Sequence, residues 1–283
     1  MKKSGILGYP LGHSISPYFQ NAAFINLGIE ATYEAWPVDP VQLPKRIQAL
    51  REPDVMGANV TIPYKELVIP LLDKIDDWAL KIGSVNTIVN QSGILVGYNT
   101  DATGFLRAIS EYGNYEPSGK DVLLIGAGGA ARAAAHAFME SKVNTLWIAN
   151  RTYDRAKRLA DEFLENGKVK PIGLDDPEFR KSASSVSLIV NSTSLGMKHT
   201  LDSHIDPLEG FSIENSTLIN DMVYNPLDTP MLINAKNRGV RTLSGLPMLV
   251  LQGAASFELW TSKQAPVDVM FSSARKALIA QSD

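Results

Sequence analysis

Three glycines and two arginines carry the sharpest chemical signal in the sequence. Within Lys120 to Thr152, a short apolar run from Val122 to Ile125 ends in Gly126-Ala127-Gly128-Gly129 and is followed by the alanine-rich stretch Ala130 to Met139. Strand, glycine turn and helix in that order are what a dinucleotide requires. Gly126 permits the tight turn, Gly128 lets the backbone approach a pyrophosphate, and Ala131 lets helix and strand pack closely. The helix starting near Gly129 offers unpaired N–H groups and the positive end of its dipole to phosphates. The next apolar run, Leu146 to Ala149, leads into Asn150-Arg151-Thr152-Tyr153-Asp154-Arg155. An acidic residue there would hold the ribose hydroxyls of NAD. Two guanidinium groups instead match a dianionic phosphate, which makes NADP the expected cofactor. A purely structural account has Thr152 capping the next helix, with Arg155 and Arg158 on its wet face and Asp154 paired to Arg158.

A second set of chemical groups lies in the first third of the chain. Lys65 closes the stretch Asn59-Val60-Thr61-Ile62-Pro63-Tyr64-Lys65. Asn86 and Thr87 follow Gly83, and Asp101 closes Gly97-Tyr98-Asn99-Thr100-Asp101 beyond a turn at Gly93. Taken singly these have bland explanations, since most lysines are solvated and both Thr100 and Asp101 would cap a helix running through Phe105 to about Ser110. Together, amide, hydroxyl, ammonium and carboxylate groups that each follow a strand suit a small polyhydroxylated ligand, whose hydroxyls need several fixed partners. Upstream, Ser16 followed by Pro17 specifies a helix start with Ser16 as N-cap. Ser14 adds another hydroxyl beside that N-terminus, a place suited to a carboxylate. His13 is of a type that exchanges protons, but its turn position keeps it out of the catalytic set.

The elements that must position these groups alternate. Strands are expected at Ser4 to Leu7, Thr32 to Trp36 and Val55 to Val60, with helices at Pro17 to about Leu27 and Leu43 to Leu50. Later come strands at Leu188 to Asn191, Leu218 to Asp221 and Gly239 to Leu243, then helices at Met248 to Trp260 and Val267 to Ala280. This is an α/β protein whose ligands should bind at the carboxyl ends of its strands. At 283 residues, 45% hydrophobic and 20% charged, the chain suits one large domain or two modest ones. A net charge of -3 without a basic cluster argues against a nucleic-acid partner. The absence of cysteine excludes disulfides, a thiol nucleophile and thiolate metal sites, and fits a reducing cytoplasm. The N-terminus lacks the apolar run of a secretory signal. Leu246 to Trp260, which carries Gln252 and Glu258, is too short to cross a bilayer. The expectation is a cytoplasmic monomer or homodimer with no metal and no membrane partner.

At this point the chain resembles the shikimate dehydrogenase family over nearly its whole length. The resemblance is carried by Gly12-His13-Ser14-Ile15-Ser16-Pro17, Asn59-Val60-Thr61 through Lys65, Val85-Asn86-Thr87, Asn99-Thr100-Asp101 and the turn at Gly126. It continues through Asn150-Arg151-Thr152 with Arg155, Asn191 to Met197, Tyr224-Asn225-Pro226 with Thr229-Pro230, and Gly245 to Gln252. It implies two α/β domains separated by a cleft. One is a discontinuous substrate-binding domain, residues 1–102 completed by 247–283. The other is a Rossmann-like NADP-binding domain, residues 103–246. The cofactor set it implies is Gly126, Ala127, Gly128, Gly129, Ala130, Asn150, Arg151, Thr152, Arg155, Thr193, Met222 and Gly245, with the strand ends before Thr193 and Met222 bordering the nicotinamide.

The activity the resemblance implies is reversible reduction of 3-dehydroshikimate to shikimate with NADPH, a step in aromatic amino acid biosynthesis. Ser14 and Ser16 would bind the carboxylate with help from Tyr224, and Thr61, Asn86 and Gln252 would orient ring hydroxyls. Lys65 and Asp101 would flank the reacting oxygen, where an ammonium can stabilise growing negative charge and donate a proton. Whether Lys65 acts alone or coupled to Asp101 stays open. Two alternatives stand beside this activity: a quinate/shikimate dehydrogenase of dual specificity, and a non-catalytic NADP-sensing regulator.

Overall fold

The computed structural model describes residues 1–12, 14–163 and 168–281. The chain divides into two compact units, Met1–Gly104 with Val250–Asp283, and Phe105–Leu249. The first 104 residues carry β1 (Lys2–Gly8), α1 (Ser16–Asn26), β2 (Ala31–Pro37), α2 (Leu43–Ala49), β3 (Val55–Val60), β4 (Lys74–Ile75), α3 (Asp77–Ile82), β5 (Thr87–Gln91), β6 (Ile94–Tyr98) and the start of α4 (Asp101–Arg107). The second unit carries β7 (Asp121–Ile125), α5 (Gly129–Glu140), β8 (Thr145–Asn150), α6 (Tyr153–Asp161), β9 (Val169–Gly173), α7 (Pro177–Ala183), β10 (Leu188–Asn191), β11 (Leu218–Asp221), α8 (Pro230–Asn237) and β12 (Arg241–Leu243). The last helices are α9 (Leu246–Thr261) and α10 (Val267–Ala280).

The first unit is built on a six-stranded mixed sheet in the order β2-β1-β3-β5-β6-β4. β1 pairs in parallel with β2 and β3, whereas β5 runs against both its neighbours, β3 and β6. That single reversal matters for chemistry. The carboxyl ends of β1, β3 and β6 and the start of β5 all reach one edge of the sheet. One face is sealed by Leu7, Leu43, Ile47, Ala58, Val60, Tyr64, Ile88 and Leu95, all buried. α1 packs against α10.

The second unit has a parallel sheet in the order β12-β11-β10-β7-β8-β9. Val122 to Ile125 and Leu188 to Val190 are fully buried without alternation, as expected of central parallel strands covered on both faces. The strand order reverses between β7 and β10, and ligands of such sheets bind at that switch point. Among the described residues no helix is long and apolar enough to cross a membrane.

Candidate active site

Asp101 opens α4, where its residue type would also suit it to cap the helix. Asn99 does that work instead. Its Oδ1 accepts from the backbone N–H of Asp101 at 3.1 Å and of Ala102 at 3.2 Å, and its Nδ2 donates to the Ser84 carbonyl at 2.9 Å. The Asp101 carboxylate is thereby left for other partners. Oδ2 accepts from Lys65 Nζ at 2.6 Å and Oδ1 from Asn86 Nδ2 at 2.9 Å. The two charged side chains are only 20% and 10% exposed, and an ion pair this sheltered persists when its remaining lone pairs are hydrogen-bonded, as here. The Lys65 carbonyl accepts from the Val85 N–H at 2.8 Å, which ties the segment after β3 to the one before β5.

Asn86 is the hub. Its Oδ1 accepts from the Thr100 N–H at 2.7 Å, and its Nδ2 lies 2.9 Å from Thr100 Oγ1 and 3.3 Å from Gln252 Oε1. Behind it the hydroxyls of Thr87, Thr100 and Ser256 sit 2.8–3.2 Å from one another. Asn59 Nδ2 donates to Ser256 Oγ at 2.9 Å, and the Tyr33 hydroxyl donates to Asn59 Oδ1 at 2.7 Å. Burial pushes the Tyr33 phenol well up, so it stays a neutral donor. Sequence reasoning missed Tyr33 and Ser256. Position would have found Ser256, which follows Gln252 by four residues and so shares its face of α9.

Gln252 itself is half-buried, and its approach depends on a glycine. A Cβ on Gly104 would stand 2.6 Å from the Gln252 backbone nitrogen and 2.8 Å from its Cα, so only a residue without one lets α4 and α9 meet there.

The serines differ from expectation. α1 begins at Ser16, the N-cap position is Ile15, and no side chain caps the helix. Ser16 is buried inside the first turn, and Ser14 Oγ accepts from its N–H at 3.3 Å. Thr61 is half-buried, and its N–H donates to the Leu7 carbonyl at 2.8 Å, holding it beside the end of β1. His13 lies outside the described residues.

In the second unit, Gly126 follows β7 with φ +114°, and a Cβ there would lie 2.5 Å from Ser192 Oγ after β10. Ser192 Oγ donates to the Ile125 carbonyl at 2.7 Å. The glycine turn is thus pressed against the neighbouring strand end, at the switch point. Nothing lies within 4 Å of a Cβ built on Gly128 or Gly129, and both are exposed, so the backbone at the N-terminus of α5 opens onto free space between half-buried Ala127 and Ala130. Past β8, Asn150 Nδ2 donates to the Thr152 carbonyl at 2.8 Å and bends the chain. Thr152 holds the N-cap position of α6 but makes no capping bond with its side chain. Among the described residues Asp154 makes no ion pair with Arg158. The structural account of these residues therefore loses both its bonds but keeps Arg155 and Arg158 on the exposed face of α6, and Arg151 and Thr152 stand exposed as well.

Family profiles described as the shikimate dehydrogenase substrate binding domain, shikimate/quinate 5-dehydrogenase and the shikimate 5′-dehydrogenase C-terminal domain match residues 6–88, 110–205 and 245–270. A shikimate dehydrogenase (NADP(+)) of Moorella thermoacetica is 44% identical over 98% of this chain and 94% of its own length. The chain belongs to the shikimate dehydrogenase family. A crystal structure of the family from Thermus thermophilus, in complex with NADP(H) and shikimate, shares the fold with a TM-score of 0.86 at 37% identity, covering 98% of this chain and all of that one. Quinate dehydrogenase from Corynebacterium glutamicum in complex with NAD has a TM-score of 0.87 at 27% identity, over 97% of this chain and 99% of that one.

The remaining positions singled out within this shikimate dehydrogenase family sequence cluster beyond β10 and β11. The Thr193 hydroxyl donates to Asn191 Oδ1 at 2.6 Å, and the Met222 N–H donates to the Asn191 carbonyl at 2.9 Å. A Cβ on Gly245 would come within 2.3 Å of the Met222 carbonyl oxygen, so only a residue without one fits against that strand end. Burial pushes the Tyr224 phenol up, which keeps it a neutral hydrogen-bond donor. An open helix N-terminus, exposed arginines after the adjoining strand β8 and small residues against the strand ends fit a phosphorylated dinucleotide.

Proposed function

We infer that the chain is an oxidoreductase that interconverts 3-dehydroshikimate and shikimate with NADP, the step its curated relatives are named for. The observation that carries this is the Lys65–Asp101–Asn86 assembly, a sheltered ammonium bound to a carboxylate that is itself held by an amide. We assign the substrate to the first unit and the cofactor to the second.

Held in the second unit, NADPH would supply the hydride that the ketone carbon needs. Lys65 faces the consequence, negative charge growing on the ketone oxygen, which its ammonium stabilises and then protonates, so that ketone, hydride and proton give the alcohol. Asp101 aims the ammonium through the 2.6 Å bond, and Asn86 holds Asp101 in turn. Lys65 and Asp101 work as a coupled pair. Asn86, Thr61 and Gln252 are assigned to the ring hydroxyls, and Ser14 and Ser16 to the carboxylate. Arg151, Thr152 and Arg155 are assigned to the 2′-phosphate, Asn150 to the adenosine end of the cofactor, and the backbone from Gly126 to Ala130 to its pyrophosphate. Thr193, Met222 and Gly245 are assigned to the nicotinamide. The cytoplasm is the proposed compartment.

The test is a steady-state assay of purified protein with shikimate or quinate as reductant and NADP or NAD as oxidant. Turnover of shikimate with NADP at the highest kcat/KM is the expected result. Tight NADP binding without turnover of either acid overturns it in favour of a sensor, and equal kcat/KM for both acids favours dual specificity.

A further inference from the structure

Asp221 ends β11 beside its register partner Asn191 at the end of β10, and its side chain is wholly buried. Both carboxylate oxygens are engaged. Oδ1 accepts from Asn191 Nδ2 and from the Val223 N–H, each at 3.0 Å, and Oδ2 accepts from the Thr229 hydroxyl at 2.6 Å. Asn191 passes the connection on, since its Oδ1 accepts from the Thr193 hydroxyl at 2.6 Å and from the Thr193 N–H at 3.1 Å. Thr229 occupies the N-cap of α8, where its hydroxyl accepts from the Leu232 N–H at 3.4 Å. One carboxylate therefore joins the segment leaving β10, the segment leaving β11 and the start of α8.

Such a group is costly. An ionised carboxylate loses its hydration on burial, and even against three donors burial pushes Asp221 up to about 6. It stands outside the proton chemistry assigned to Lys65. What it does is hold other residues still. We propose that Asp221 is a positioning residue for the cofactor: its carboxylate fixes the Asn191 amide, and through it Thr193, in register with Met222. The proposal rests on the assignment of NADP to the second unit.

The test compares wild type with Asp221→Ala and Asp221→Asn by three measurements: calorimetric NADP affinity without substrate, the Met222 methyl resonance in cofactor-free protein, and steady-state kinetics. Asp221→Ala is expected to weaken NADP binding about tenfold or more, move the Met222 resonance and lower kcat, with KM for shikimate within about twofold of wild type. Asp221→Asn, which keeps the size and one acceptor oxygen, is expected to recover NADP affinity to within about threefold. A folded Asp221→Ala protein with wild-type NADP affinity and an unmoved Met222 resonance overturns the proposal. Should Asp221→Ala not fold, Thr229→Val decides: weaker NADP binding supports the role, and wild-type affinity overturns it. Wild-type protein that binds NADP but leaves shikimate untouched defeats the proposed activity while leaving the Asp221 comparison intact.

Discussion

Lys65 Nζ stands 2.6 Å from Asp101 Oδ2, and the carboxylate is free to take that bond because Asn99, two residues earlier, has taken over the helix cap. Local competition among three adjacent polar residues thus decides which one is available for chemistry. Removing the ammonium should leave the surrounding donors in place. Lys65→Ala is therefore expected to lower kcat by about 10²–10⁴-fold while shikimate still binds. Separate measurement of turnover and of shikimate affinity by calorimetry checks this. Turnover near the wild-type rate would remove Lys65 from the mechanism.

Gly104 sets how closely α4 approaches Gln252. A methyl group there meets backbone atoms rather than a side-chain tip, so the helix must shift. Gly104→Ala is expected to reduce kcat/KM for shikimate by roughly 10²-fold, the scale of a displacement of about 1 Å in a positioned group. NADP affinity, carried by the other unit, should hold. Kinetics in which only NADP binding suffers would contradict the placement of Gln252.

Arg151 is exposed at the end of β8, and its guanidinium is assigned to the 2′-phosphate. Loss of a charge-assisted hydrogen bond costs about 1.5–3 kcal/mol, so Arg151→Ala is expected to shrink the preference for NADP over NAD by roughly 10–100-fold. The comparison is kcat/KM for the two cofactors in both proteins. An unchanged ratio would place the phosphate elsewhere.

Asp221 titrates at about 6 in the folded protein against an ordinary carboxyl value of 3.8, chiefly through burial, with Asp206 adding a smaller push the same way. The folded protein binds this proton more tightly than the unfolded chain. Its contribution to stability is therefore complete below the unfolded value and is lost as pH rises through about 6. The full span is on the order of 3 kcal/mol. Urea unfolding from about pH 4 to about pH 7.5 should show wild type losing stability relative to Asp221→Asn by up to that amount. Parallel stability curves for the two proteins would sink the assignment.

Much of the architecture was legible because it rests on local pattern. The strands at Val55–Val60, Leu188–Asn191 and Leu218–Asp221 and the last helix at Val267–Ala280 begin and end where apolar runs and turn residues say they should. The glycine turn after β7 is likewise a local device. One strand, two turn-permitting glycines and a helix start are contiguous in sequence, so residue type fixes backbone shape there. Caps were harder. Ser16, Asp101 and Thr152 are all good cap residues by type, yet Ser16 falls one place inside its helix, Asp101 gives its carboxylate to Lys65 and Asn86, and Thr152 makes no capping bond with its side chain.

What the amino-acid order determined by itself is the alternating plan of strands and helices, short of β4, α3, β9, α7 and α8, together with the glycine turn after β7 and the inventory of groups fit for proton transfer. Tertiary structure decided which of those groups meet. β5 runs against its neighbours, which delivers Asn86 to the edge where Lys65 and Asp101 lie. α9 returns Gln252 and Ser256 to residues more than 150 positions earlier in the chain. Strand direction and the return of a distant helix are settled by long-range pairing and packing, which no local window of sequence contains.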